Sequence, residues 1–286
     1  MEPVAVGLVG AGPWAEMAHA PMLAKGPHTR LAGVWARRPE AAARLGAPVH
    51  ERIEDLFDAV EAVAFCVPPA VQAELGVLAA KAGKALLLEK PLAADLDGAR
   101  RLADAIGEAG VASQMLLTLR YSPGTRDFLA GCARIGAFGG QAAAISGVLS
   151  GGGDFATPWR LERGALLDVG PHVIDLLDAA LGRVVGVRAH GDPLRWVGLL
   201  LEHEGGAVSE VSLTMAAVGD LPPLRVEVYG TQGSVRLPAS DDDEFARVAE
   251  EFAATVRRGG GHQLDAARGL HLQEIIAAAE AQLATP

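Results

Sequence analysis

The chain has 286 residues, enough for two domains of ordinary size. Half of them are hydrophobic and 21% are charged, which excludes wholesale disorder and leaves ample material for a core. Twenty-five basic against thirty-five acidic side chains give a net charge of −10, which repels phosphate backbones and anionic lipid, so neither nucleic acid nor a membrane is an expected partner.

Two cysteines, Cys66 and Cys132, are too few for a disulfide framework and have no metal-binding spacing. No apolar run reaches the roughly 18–20 residues that span a bilayer, and the start, Met-Glu-Pro, lacks the basic region of a signal peptide. A cytoplasmic protein is expected.

In chain order, β-prone apolar runs first alternate with helical patterns. The strand candidates are Val4 to Val9, Leu31 to Trp35, Pro48 to His50, Ala62 to Val67, Ala85 to Leu88 and Val111 to Leu117. Helical stretches run up to Lys25, from Ala70 to Ala82 and from Ala94 to Ala109. This alternation predicts an α/β fold whose N-terminal domain, residues 1–119, is a Rossmann domain with a parallel sheet.

From residue 120 to 286 the texture changes to consecutive strands: Gln141 to Leu149, Val184 to His190, Gly198 to His203, Ala207 to Met215, Leu224 to Tyr229 and Ser234 to Leu237. They predict a C-terminal α+β domain with a mainly antiparallel open sheet. Helices at Pro171 to Leu181, Asp243 to Arg257 and Asp265 to Ala284 are expected to cover one face of it. The triple glycines 151–153 and 259–261 read as mobile loops.

The motif Gly10-Ala11-Gly12-Pro13-Trp14-Ala15 follows the first strand and opens a helix, the context of a dinucleotide-binding turn. Gly10 makes the tight turn, Gly12 lets the backbone approach a pyrophosphate, and Ala15 allows close packing of the helix. Phosphates are expected on the free N–H groups of the first helical turn, where Pro13 and Trp14 also stand. An NAD site usually has an acidic residue at the end of the second strand. Here the strand ends in Arg37 and Arg38, which favours NADP, with NAD as the alternative. The opposing readings are that both arginines are ordinary solvated charges and that Glu40 takes the ribose.

Lys90, in Glu89-Lys90-Pro91, stands at the C-terminal edge of the parallel sheet, where such folds bind ligands. It either positions a nicotinamide and a substrate oxygen or forms a plain ion pair. Pro91 ends the strand and suits a fixed, cis peptide. In the second domain Pro171 starts a helix with His172 in its first turn, and Asp168 is spaced to reach the same spot. Histidine is the usual general acid or base, and a carboxylate can orient it. Asp168, His172 and Asp175 lack a convincing fourth ligand, so no metal is expected.

Taken together, Gly10-Ala11-Gly12, Glu89-Lys90-Pro91 and Asp168-x-Gly170-x-His172-x-x-Asp175 resemble the Gfo/Idh/MocA oxidoreductases, the glucose-fructose oxidoreductase and inositol dehydrogenase family. His19, Pro68-Pro69, Arg120-Tyr121, Trp159-Arg160 and Tyr229 to Ser234 extend the likeness. The resemblance implies NAD(P)-dependent oxidation or reduction of a sugar, cyclitol or related hydroxy or keto compound. Lys90, His172 and Asp168 would be the catalytic residues. Val67, Pro68 and Glu89 would join the cofactor contacts, and Arg120, Tyr121, Trp159 and Arg160 would line the substrate. It also implies a homo-oligomer, dimer or tetramer, formed through the C-terminal sheet. Where the family often has Thr-Pro-Asn-x-x-His, this chain reads Val67-Pro68-Pro69-Ala70-Val71-Gln72. The competing functions are a non-catalytic nucleotide-binding regulator of the same fold and a redox-neutral, NAD-dependent glycosidase.

Overall fold

Val4–Val9, buried along its whole length, forms the first strand, β1. A strand with no polar face must be covered on both sides. In the computed structural model, which describes residues 2–153, 155–239 and 244–283, β1 has parallel neighbours on either side. A helical run over 13–24 follows and ends as α1 (Ala20–Ala24). It leads to β2 (Thr29–Trp35), α2 (Pro39–Ala42), α3 (Ile53–Ala59), β3 (Ala62–Phe65) and α4 (Pro69–Lys81). Then come β4 (Ala85–Leu88), α5 (Leu96–Ala109) and β5 (Ser113–Met115). The five strands lie parallel in the order β2-β1-β3-β4-β5. Because the chain leaves β1 first to one side and then to the other, the ends of β1 and β3 flank the crevice where open α/β sheets bind ligands.

The expected strand at Pro48 to His50 is reduced to a single bridge, Val34 to Val49. Pro48 has no N–H to give a ladder; its carbonyl, accepting from the Val34 N–H, and the His50 N–H, donating to the Val34 carbonyl, tie the segment to β2.

The rest of the chain runs α6 (Pro123–Arg134), β6 (Ala137–Ile145), α7 (Pro158–Asp168), α8 (Gly170–Leu181), β7 (Val184–Asp192), β8 (Trp196–His203), β9 (Val208–Thr214), β10 (Arg225–Gly230) and β11 (Gly233–Arg236). It ends with α9 (Glu244–Arg258) and α10 (Ala266–Leu283). The expected helix ends Asp243 and Ala284 lie outside the described residues. The second sheet has the order β11-β10-β6-β9-β8-β7, and every pair is antiparallel except β6 with β9. Along β8, Val197, Leu199 and Leu201 are buried while Trp196 and Glu202 are exposed, the alternation of a sheet covered on one face. Helix α8 covers β6, β9 and β10, and α7 covers β8 and β9. Two helices here, α6 and α7, are not among the expected elements. The second is broken by Gly164 at φ 68°, where a Cβ would sit 1.9 Å from the Pro193 carbonyl oxygen.

By contacts the chain divides into one unit of Met1–Thr118 with Asp243–Gln273 and another of Leu119–Asp242 with Glu274–Pro286. Helix α9, expected over the second sheet, therefore belongs to the first unit. Its buried stripe of Val248, Ala249, Phe252 and Ala253 rests on α1, β2 and β5, and the Gln114 side chain donates to the Val248 carbonyl at 3.2 Å. Among the described residues no helix is long and apolar enough to cross a membrane.

Phe252 is fully buried, whereas Phe138 is 59% exposed. Phe252→Ala is expected to cost about 3–5 kcal/mol by cavity formation, and Phe138→Ala within about 0.5 kcal/mol of nothing. Urea denaturation of both variants checks this, and equal losses would remove α9 from the core.

Candidate active site

The glycine turn is built from the ends of three strands. The Gly10 N–H donates to the Trp35 carbonyl at 2.9 Å, and the Cys66 N–H donates to the Val9 carbonyl at 2.8 Å. Gly10 has φ 117°, and a Cβ there would lie 2.1 Å from the Cys66 carbonyl oxygen and 3.0 Å from Val67. The fold itself thus demands glycine at this position. Gly12 is the opposite case, since a Cβ there would meet nothing within 4 Å. The space above it suits the close approach of a dinucleotide pyrophosphate, and the first-turn N–H groups beside it have no intrahelical acceptors. The helical run then winds as a π-helix over Ala15–His19, just before Pro21, which has no N–H to continue the ladder.

That winding buries His19 completely and aims it at Glu89, at the end of β4. Glu89 Oε1 accepts from His19 Nε2 and from Trp14 Nε1, both at 2.8 Å, and Oε2 accepts from the Lys90 N–H at 3.2 Å. Burial alone pulls the His19 pKa down, but the Cys66 sulfur and the Glu89 carboxylate outweigh it and push the value up to about 10. Burial likewise pushes Glu89 up, and His19, Lys90 and Trp14 together hold it below the usual carboxylate value. The pair is therefore ionic. His19 Nδ1 is buried with no hydrogen-bond partner among the described residues.

Glu89, expected among the cofactor contacts, has its carboxylate engaged inside the protein. Trp14 shares that engagement through its indole N–H, and its ring meets Phe245 edge-on at 5.9 Å between centroids. Lys90 is half-buried at the strand end, and the Lys90–Pro91 peptide is cis, as the sequence suggested. Val67 and Pro68 follow β3 next to the glycine turn. Arg37 and Arg38 are exposed just past β2, and neither guanidinium has a hydrogen bond or ion pair among the described residues.

In the second unit α8 begins at Gly170, with Pro171 behind it and the half-buried His172 in its first turn. Asp168 ends α7 and pairs with Arg160, Nε to Oδ2 at 2.9 Å, and both side chains are largely buried. The Arg160 guanidinium lies 4.6 Å over the Trp159 ring and also donates to the Phe155 carbonyl at 3.3 Å. Arg160, expected to touch substrate, thus neutralises Asp168. Arg120 is buried in an ion pair with Asp175, Nη1 to Oδ2 at 2.9 Å, and Tyr121 has no exposed surface. Both were expected to line the substrate; Arg120 is paired with a carboxylate and Tyr121 is packed in the core. Among the described residues no cluster of histidine, cysteine or acidic side chains could hold a metal ion.

Three contacts of the site have no local signal in the sequence: Trp14 to Glu89, Arg160 to Asp168, and the engagement of Gln72 with the Glu89 backbone. The departure at Gln72 from the family's histidine marks the position without revealing its partners.

The His19–Glu89 pair makes stability depend on pH in a stated direction. His19, raised from 6.5, contributes fully below pH 6.5 and loses that contribution as the pH rises toward about 10. Glu89, lowered from 4.5, contributes above pH 4.5 and loses it as the pH falls through its folded value. Glu89→Gln is thus expected to cost about 3–5 kcal/mol, with the largest loss between pH 4.5 and 6.5 and a smaller one on either side. A difference from the parent that stays constant across this range in denaturant titrations would mean that the pair carries no charge.

Residues 4–116 match the family described as "Oxidoreductase family, NAD-binding Rossmann fold", and residues 139–236 match "GFO/IDH/MocA C-terminal domain". The dTDP-3,4-didehydro-2,6-dideoxy-alpha-D-glucose 3-reductase of Streptomyces violaceoruber is 31% identical over 307 aligned positions, covering 89% of this chain and 86% of that protein. Among solved structures, the WlbA dehydrogenase from Bordetella pertussis in complex with NADH and UDP-GlcNAcA superposes with a TM-score of 0.86 at 21% identity, over 98% of this chain and 96% of that one. A levoglucosan dehydrogenase in complex with NADH and L-sorbose gives 0.85 at 21% identity, over 99% and 97%. With both domain families matched in order and a relative aligned along most of its length, the chain belongs to the GFO/IDH/MocA family of NAD-binding oxidoreductases.

Proposed function

We propose that this enzyme transfers hydride between a nicotinamide, with NADP(H) preferred, and a hydroxyl or keto carbon of a sugar, cyclitol or related compound. The observation that carries the reading is the bridge formed by Glu89. Its carboxylate ties Trp14, in the turn that suits a pyrophosphate, to the backbone of Lys90, so one group sets the place of both. The named activities of the relatives support the substrate class, since each acts on a sugar or is bound to one.

The nicotinamide, when bound, supplies the carbon that carries the hydride. Every other task falls to side chains. Lys90 donates from its ammonium to the substrate oxygen and favours the charge that grows on it. In oxidation His172 takes the hydroxyl proton as the carbon loses hydride; in reduction it returns the proton to the new alkoxide. Asp168, its charge met by Arg160, assists from the residue that ends α7. Arg37 and Arg38, exposed and without partners among the described residues, bind the 2′-phosphate.

The proposal extends to a homo-oligomer in the cytoplasm, formed through the open sheet face. On that face Trp196 is 50% exposed and Val208 42% exposed, and burying such residues favours association.

Lys90→Met and His172→Ala are each expected to lower turnover by about 10²-fold or more, with nucleotide affinity nearly unchanged. A panel of D-apiose, levoglucosan, L-sorbose and myo-inositol, followed by nicotinamide absorbance, provides the assay, and unaltered turnover in either variant removes that residue from the mechanism. Replacing Arg37 and Arg38 with serine is expected to weaken NADPH by about tenfold or more and NADH much less. Equal weakening in fluorescence titrations would overturn the 2′-phosphate assignment.

A further inference from the structure

We propose that Gln72 is a positioning residue that holds Lys90 in its working place by gripping the backbone on both sides of it. The inference rests on the role proposed above for Lys90. Gln72 stands in the first turn of α4 and is fully buried. Its Oε1 accepts from the Glu89 N–H at 2.8 Å, and its Nε2 donates to the carbonyls of Glu89, Pro91 and Leu92 at 2.8, 3.2 and 3.0 Å.

A side-chain amide offers one carbonyl oxygen and two N–H donors. All are spent on one short segment, 89–92. That segment lies past the end of β4, where the parallel ladder with β5 closes at Leu88 and Met115. Its backbone groups have left the sheet, and the amide replaces the strand partners they would otherwise have. Since Gln72 has no exposed surface, it cannot touch a nucleotide or a sugar itself. What it can set is the direction in which the backbone leaves β4, and so where Lys90 begins. A displacement of about 1 Å at a reacting group can cost on the order of 10²-fold in rate, which makes such a grip functional as well as structural.

The chain has four lysines, Lys25, Lys81, Lys84 and Lys90, so reductive methylation with a carbon-13 label yields a spectrum simple enough to follow Lys90 alone. Its signal is assigned by its loss in Lys90→Arg. In Gln72→Met, which keeps the length and removes every polar atom, the Lys90 titration midpoint is expected to move by about half a pH unit or more. Its shift on adding NADH is expected to change as well, while NADH affinity stays within about threefold of the parent. The same midpoint and the same NADH-induced shift in both proteins would overturn the inference. So would a general change in all four lysines with loss of NADH binding, which marks a purely structural role. If Gln72→Met does not fold, Gln72→His, with one donor and one acceptor, carries the comparison: an intermediate displacement supports the inference and an unmoved Lys90 overturns it. If NADH at a concentration shown to saturate the parent leaves its Lys90 signal unmoved, the proposed role of Lys90 falls, and the midpoint without nucleotide still decides whether Gln72 places the lysine.

Discussion

The arrangement of the first unit around the sheet edge depends on a buried charge, the Glu89 carboxylate. Burying a carboxylate without partners costs far more than a domain can sustain. Here both oxygens are engaged: one by His19 and Trp14 from the helical run after β1, the other by the Lys90 N–H. An apolar residue at 89 would pack at lower cost, yet it would leave the helical run free to slide against the end of β4. The charge trades stability for one defined register between the turn that suits a pyrophosphate and the segment that bears Lys90. This is the use of buried polar groups as specifiers of geometry, stated here for a particular pair.

The second unit solves the same problem twice. Asp168 and Asp175 lie close in sequence on either side of His172, and left alone each would be a costly buried charge. Each instead meets an arginine, Arg160 in one case and Arg120 in the other, both at 2.9 Å. The two acids are thereby made compatible with burial, and His172 keeps a half-buried place at the start of α8. Both arginines, which the family resemblance implies as substrate contacts, are in the fold the counter-ions of the acidic motif.

Much of the fold was legible because its signals are local. Fully apolar runs such as Val4–Val9 and Ala85–Leu88 announce strands covered on both faces, and the alternation along β8 announces a half-covered sheet. The glycine turn was legible because strand, turn and helix follow one another without interruption. The misread parts depend on partners distant in sequence. Pro48 to His50 has strand-like residues but no free N–H at its first position. Helix α9 is plainly amphipathic, yet nothing in its own residues says which sheet its stripe will meet; Gln114, 134 residues away, is among the groups that settle it. The carboxylate beside Arg120, 55 residues on, is likewise revealed only by the fold.

Gln72 shows how a departure from a family pattern becomes intelligible once its neighbours are known. A histidine at this position could offer one donor and one acceptor, and it would change charge near neutral pH. Glutamine offers a fixed acceptor and two donors and never titrates. Segment 89–92 therefore has two supports of different character: a carboxylate whose grip depends on the charge of His19, and an amide indifferent to pH. Loss of the charge at high or low pH weakens the first while the second still holds the backbone on both sides of Lys90. A reaction that moves a proton at each turnover benefits from a lysine whose position does not follow the protonation of its surroundings.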